Sequence, residues 1–319
     1  MKKKTVILIP FLVGLVGLVL WPTVFSPVKT SSTEKEIFSV QKGDNVFAIG
    51  RNLEKEKLIK SQWFFDLAVF LQLGSSRLKT GSYYLSPIMS PWEIAGKIIQ
   101  GDIAKETITI PEGWNAREID ELLKNKNLIA GGEFLQVVDN PPAELVNQFS
   151  FLSDKPKTLG LEGYLFPDTY EIKVGENAKA IVQRLLENFD AKLTSELKTE
   201  IQKQEKTIFE IITMASILEK EVKTRKDKEL VADILWKRLK IGMPLQVDAS
   251  AKYGPLYDTY KFSGLPPGPI ANPGLESILA AIYPEKSDYW YYLSGSDGKT
   301  YFSKTLEEHS AKKAEYLKL

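Results

Sequence analysis

The sequence predicts an α+β protein: an N-terminal transmembrane helix, a small α+β unit, and a larger mixed α+β unit rich in helices. Three observations carry this expectation. An uncharged run at residues 5–25 follows three lysines. Short β-branched stretches of period 2 alternate with helical spacing on both sides of residue 103. Helical spacing then fills residues 178–239 with few breakers. The 319 residues are 43% hydrophobic, enough to bury cores in about two domains. The expected division is 1–25 tail and anchor, 26–36 tether, 37–103 small unit and 104–319 larger unit.

The run at 5–25 spans about 21 residues, and at 1.5 Å per residue it can cross a ~30 Å hydrocarbon core. Lys2, Lys3 and Lys4 favour the cytoplasmic side, and Trp21 sits where an interfacial aromatic belongs. The rest of the chain is therefore expected outside the cytoplasm, on a single-pass anchor in the cytoplasmic (inner) membrane. A cleaved signal peptide is the alternative, but no small-x-small site follows the run. Residues 26–34, rich in Ser, Thr, Pro and Lys, read as a tether. Ile37-Phe38-Ser39-Val40 reads as a strand, 41–44 as a turn, 46–58 and 61–73 as helices, and 78–85 as a returning strand. Ser90 followed by Pro91 supplies the N-cap and first-turn residues of a further helix, and the unit closes near Gly101.

The larger unit opens with the alternating strand Thr107-Ile108-Thr109-Ile110, a turn at Pro111-Glu112-Gly113 and a helix at 115–124. Helical spacing recurs at 178–189, 191–204, 207–222 and 227–239. Gly and Pro return at 254–274, where Leu265-Pro266-Pro267-Gly268-Pro269 precludes regular structure and demands a shaped loop. A strand at 289–293, a turn at 294–298, a strand at 300–302 and a helix at 306–317 finish the chain.

Composition excludes several kinds of chemistry. Lys plus Arg at 42 against Asp plus Glu at 41 leaves a net charge of +1, too little to neutralise a phosphate backbone, so nucleic acid is not an expected partner. With no cysteine and one histidine, His309, thiol nucleophiles and Cys/His metal sites are excluded, and no metal or cofactor is expected. Carboxylates, hydroxyls and amides remain.

The segment Ala215-Ser216-Ile217-Leu218-Glu219-Lys220-Glu221 puts two carboxylates at the end of an otherwise apolar helix. Residues two apart differ by about 200°, so Glu219 and Glu221 face opposite ways and only one can enter a given cleft. A carboxyl group against apolar surface has a raised pKa and can donate a proton near neutrality. The competing reading is two solvated acids beside Lys220 and Lys223. The Gly160–Tyr170 stretch interleaves aromatics with Glu162 and Asp168, as a sugar-binding wall would; a buried aromatic turn is the alternative. Gln246, Asp248 and Tyr257 precede the Pro-rich loop, where ordinary loop capping is the simpler account. His309 reads as a packing residue.

Three segments in order resemble the YceG-like family of endolytic murein transglycosylases: Gly160 to Asp168, Ala215 to Glu221, and Ser263-Gly264-Leu265-Pro266-Pro267-Gly268-Pro269-Ile270-Ala271-Asn272-Pro273-Gly274. The resemblance covers nearly the whole chain. Residues 40–44 and 78–83 are similar to that family's LysM-like subdomain, a module associated with glycan binding. It implies Glu221 as the catalytic acid/base, which the helical geometry alone leaves open. It further implies peptidoglycan glycan strands as substrate and peptidoglycan synthases as partners. The expected reaction cleaves the MurNAc-β-1,4-GlcNAc bond with a 1,6-anhydromuramyl product, terminating or trimming nascent strands. Glu162, Tyr164, Gln246, Asp248 and Tyr257 are the candidates for binding sugar. A glycoside hydrolase pairing Glu221 with Glu162 or Asp248, and a non-catalytic glycan-binding scaffold, are the rival expectations. Two departures from the family pattern stand out: Lys237-Arg238-Leu239 where Asn-Arg-Leu is usual, and a short stretch between Asp248 and Tyr257.

Overall fold

The computed structural model describes residues 26–29, 35–74 and 76–317 and divides into two compact units, residues 1–106 with 171–175, and residues 107–170 with 176–319. The expected anchor at 1–25 lies outside the described residues, as do residues 30–34 of the expected tether. Among the described residues no helix is long and apolar enough to cross a membrane. The architecture is mixed α+β and rich in helices.

In the first unit β1 (Glu36–Val40) pairs antiparallel with β2 (Gly81–Leu85), Glu36 opposite Leu85 and Val40 opposite Gly81. Period-2 alternation sends Phe38 and Val40 inward, against α1 (Val46–Lys55), α2 (Gln62–Leu71) and α3 (Pro91–Gln100). Ile49, Leu53, Phe65, Tyr83 and Ile94 are fully buried, at about 1.5–3 kcal/mol for each large apolar side chain. Ser90 and Glu93 form a reciprocal capping box that starts α3 beside Pro91. The helix expected at 46–58 stops at Lys55 because Lys57 turns left-handed (φ 59°), which lets the Leu58 amide bond back to Leu53 and bury its side chain.

The chain passes between the units along β3 (Lys105–Thr109) and β4 (Thr169–Lys173), which pair with each other. In the second unit α4 (Ala116–Asn125) starts from a capping box between Asn115 and Glu118. Two short helices absent from the sequence expectation follow, α5 (Glu133–Asp139) and α6 (Ala143–Val146). Then come α7 (Ala178–Lys192), α8 (Ser195–Lys203), α9 (Ile208–Glu221) and α10 (Arg225–Lys240). Helix α9 is the core of the unit, with all eight residues from Ile211 to Leu218 buried. It packs against α10, against α11 (Asp248–Tyr253) and against α12 (Leu275–Ile282), the last two also unforeseen. The chain ends in the antiparallel hairpin β5 (Tyr291–Ser294) and β6 (Thr300–Ser303), covered by α13 (Leu306–Tyr316).

Candidate active site

Helix α9 begins with a Thr207–Glu210 capping box and stays apolar until its last turn, so the two acids at its end leave the core in different directions. Glu219 turns inward. Its Oε1 accepts from the Lys228 ammonium at 3.1 Å, and its Oε2 accepts from the Gly274 amide at 3.0 Å and the Ser277 hydroxyl at 2.7 Å. Both side chains of the ion pair are buried, Lys228 at 3% and Glu219 at 9% exposed. Glu219 therefore pins α10 and the start of α12 to α9. A Cβ at Gly274 would stand 1.9 Å from Glu112 Oε1, so a side chain there would displace the Glu112 carboxylate.

Glu221 faces a cavity of about 360 Å³ together with Arg238, Gln246, Asp248, Tyr260, Tyr291, Tyr292 and His309. Its Oε1 accepts from the Ala249 amide at 3.0 Å, and its Oε2 from the Tyr292 hydroxyl at 3.3 Å. Burial, with the charge of Asp248 added, pushes its carboxyl above the ordinary glutamate value despite these bonds and Lys252. A position at a helix C-terminus, where backbone carbonyls gather, disfavours the carboxylate as well. Desolvation holds the hydroxyl of the half-buried Tyr292 well above its usual value, so it stays a donor. Tyr260 donates to Asp248 Oδ1 at 2.6 Å.

Arg238 frames the floor. Its guanidinium donates to the Trp290 carbonyl at 2.7 and 2.9 Å and to the Leu245 carbonyl at 2.8 Å, and it lies 5.1 Å over the Tyr291 ring. His309 stacks on the same ring at 5.3 Å. Burial and the charges of Lys313, Arg238 and Lys312 hold its imidazole below the ordinary value, and its buried Nδ1 has no hydrogen-bond partner among the described residues. Lys237, in the position of the usual asparagine, makes structural bonds of its own: its ammonium donates to the Ser287 and Tyr289 carbonyls, both at 2.7 Å, and pairs with Asp233 at 2.9 Å.

The other three candidates lie elsewhere. Glu162, Tyr164 and Tyr257 line a separate cavity of about 180 Å³ with Lys155, Gly268 and Pro269. Glu162 is half-buried, accepts from the Ala116 amide at 3.0 Å and from Asn272 Nδ2 at 2.7 Å, and removal of its carboxyl from water raises it to about 7. Tyr164 is not a wall of the kind expected: it has no exposed surface, and its ring packs against both Phe151 and Phe189. Asn272 organises this region. Its Oδ1 accepts from the Gly163 and Leu165 amides at 2.8 and 3.0 Å, while its Nδ2 also donates to the Trp114 carbonyl at 3.0 Å. Gly163, at φ +92°, lies against Pro269, so close that a Cβ would come within 2.5 Å. The Gly160 to Asp168 stretch and the Pro-rich loop are thus two halves of one packed corner. The short stretch after Asp248 forms α11, which turns Asp248 toward Glu221 and Tyr253 toward Glu162.

Sequence reasoning missed Arg238, Tyr260 and Tyr292 as lining residues. Each reads locally as a helix cation or a strand or loop aromatic, and only long-range packing brings them to Glu221. Among the described residues no cluster of three or more acidic, histidine or cysteine side chains could hold a metal ion.

A family model described as the YceG-like family matches residues 38–315. An endolytic murein transglycosylase of Bacillus subtilis is 29% identical over 92% of this chain and 88% of its own length. One from Streptococcus pneumoniae is 29% identical over 91% of this chain, which spans 60% of that longer relative. A crystal structure of a YceG-like protein from Listeria monocytogenes, 32% identical, superposes with a TM-score of 0.59 over 88% of this chain and all of that one. The family match takes in the cavity residues from Glu221 to Lys313, and this chain belongs to the YceG-like family.

Proposed function

We propose that this chain is a lytic transglycosylase that cleaves the MurNAc-β-1,4-GlcNAc bond within peptidoglycan glycan strands and leaves a 1,6-anhydromuramyl end. The observation that carries the reading is Glu221, a carboxyl group on the wall of a polar cavity with its pKa raised by burial. The names of the B. subtilis and S. pneumoniae relatives support the same activity. The Ala249 amide can only donate, so it claims Oε1 and leaves the proton on Oε2, beside a Tyr292 hydroxyl that can rotate. Glu221 donates that proton to the glycosidic oxygen as the C1–O bond breaks. The muramyl C6 hydroxyl then attacks C1 and returns its own proton to the carboxylate, so the acid is regenerated and no water is consumed. Because the nucleophile belongs to the substrate, one carboxyl group suffices, and Asp248 serves to stabilise positive charge at C1.

The apolar run at 5–25 supports a single-pass anchor with both units outside the cytoplasmic membrane, where nascent strands are made and synthases work. The test is mass analysis of purified glycan strands incubated with the detergent-solubilised chain and its Glu221→Gln variant. Anhydromuramyl products from the first and none from the second are expected. Reducing ends would establish a hydrolase instead.

A further inference from the structure

Among the described residues of the first unit, α2 and the turn after it leave large apolar side chains uncovered. Trp63 is 76% exposed, Phe70 68%, Leu71 54% and Leu73 78%. Trp63 and Phe70 are seven residues apart on α2 and lie within about 20° of each other, while Phe65, Ala68 and Val69 bury the opposite side of the helix. Scattered exposed apolar residues are ordinary; four on and just beyond one ten-residue helix form a patch of the kind that marks a contact surface. Lys60 stands exposed before the helix and Arg77 after it. The nearby acids are turned to other work: Glu54 accepts from the Gln62 amide at 2.8 Å, and Asp66 Oδ1 is buried.

The chain itself indicates what covers this face. The uncharged run ends at Phe25, and the Val28 and Lys29 amides donate to the Pro87 carbonyl at 2.9 and 3.0 Å. Three residues of extended chain span only ~10 Å, so whatever surrounds the end of that run lies within that reach of the unit. Pro87 is followed by Ile88, itself 39% exposed, and then by α3, whose first turn accepts a hydrogen bond from Gln72, the residue after α2, at 3.0 Å from Trp92 O.

We propose that the Trp63–Phe70–Leu73 face of the first unit lies on the lipid bilayer, seated in the headgroup boundary beside the membrane anchor. The proposal rests on the reading of residues 5–25 as a transmembrane segment. An amphipathic surface with tryptophan at its end and cations at its margins suits the interfacial region, where apolar side chains sink ~5–10 Å and basic residues meet anionic headgroups. Fixed at both the anchor and this face, the unit cannot swing freely from the membrane. The resemblance to LysM-like modules points instead to glycan, and the experiment separates the two.

Because the chain contains no cysteine, single sites can be labelled cleanly. Full-length Trp63→Cys, Phe70→Cys and Leu73→Cys variants carry an environment-sensitive fluorophore in nanodiscs of anionic and zwitterionic lipid, with and without lipid spin-labelled near the headgroup. Lys42→Cys is the control, since it lies beyond Val40 and Gly81, at the other end of the sheet from Pro87. The expected result is blue-shifted emission, quenched roughly two-fold or more relative to the control, at all three face positions. Insertion into nanodiscs with equal signals at face and control overturns the proposal alone. Failure to co-purify with nanodiscs overturns the anchor and this proposal with it. Protection of the face by glycan strands, with no lipid quenching, assigns it to the substrate and overturns lipid docking.

Discussion

Glu219 and Glu221 stand two residues apart, and exchanging each for glutamine separates structure from chemistry. Glu219→Gln leaves the Lys228 ammonium, 3% exposed, without its counter-charge. Breaking a buried pair from one side costs about 3–5 kcal/mol. In a unit of roughly 200 residues each kcal/mol shifts Tm by about 2–4 °C, so the melting point should fall by about 6–20 °C. Glu221→Gln removes no ion pair, and the amide oxygen can still accept from Ala249. Its carboxylate is already disfavoured by burial, so Tm should stay within about 2–4 °C, the equivalent of ~1 kcal/mol. Loss of a general acid should instead lower the rate by ~10²–10⁴-fold. Thermal melts by circular dichroism and product analysis well below the lower Tm test the division. Replacing Glu219 and Lys228 together by methionine should recover much of the lost stability. Equal destabilisation by both glutamine variants would refute the assignment, as would equal loss of activity in both while folded.

Glu162, raised to about 7 in the folded state from an ordinary 4.5, binds its proton more tightly folded than unfolded. Its contribution to stability is therefore full below the unfolded value and lost as pH rises through about 4.5–7, by roughly 3 kcal/mol in all. Urea unfolding across that window should show the slope, and Glu162→Gln should flatten it. Tyr292→Phe removes a bond that favours the Glu221 carboxylate, so the basic limb of the pH–rate profile should move to higher pH by less than about one unit. An unmoved limb would place Tyr292 outside the proton's environment. Asn272→Leu strands the Gly163 and Leu165 amides and the Glu162 carboxyl, and should cost about 2–5 kcal/mol, read as a fall in denaturation midpoint.

What was legible in the sequence follows the range of the forces involved. Capping residues and periodicity are local, so the Ser90-Pro91 start, the Asn115 start and the long helices α7 to α10 stand close to where the residues put them. The helical turn also separates Glu219 from Glu221 correctly, but which acid is pinned depends on Lys228 and Ser277, which no local rule brings to the spot. Helix α12 was lost because its start at Gly274 follows the Pro-rich loop directly and has no side-chain cap. Tyr164 misled for a similar reason: flat aromatics among glycines read alike whether they face sugar or Phe151.

The Glu221 cavity is bounded by residues from the end of α9 through β5 to α13, so its wall at His309 and Lys313 comes from an element distant in sequence from Glu221. The pocket is thus closed by β5 and α13, whereas the α9 core it borders is packed by α10, α11 and α12. A nick in the β5–β6 turn therefore separates part of the pocket wall from Glu221 while leaving the α9 core continuous.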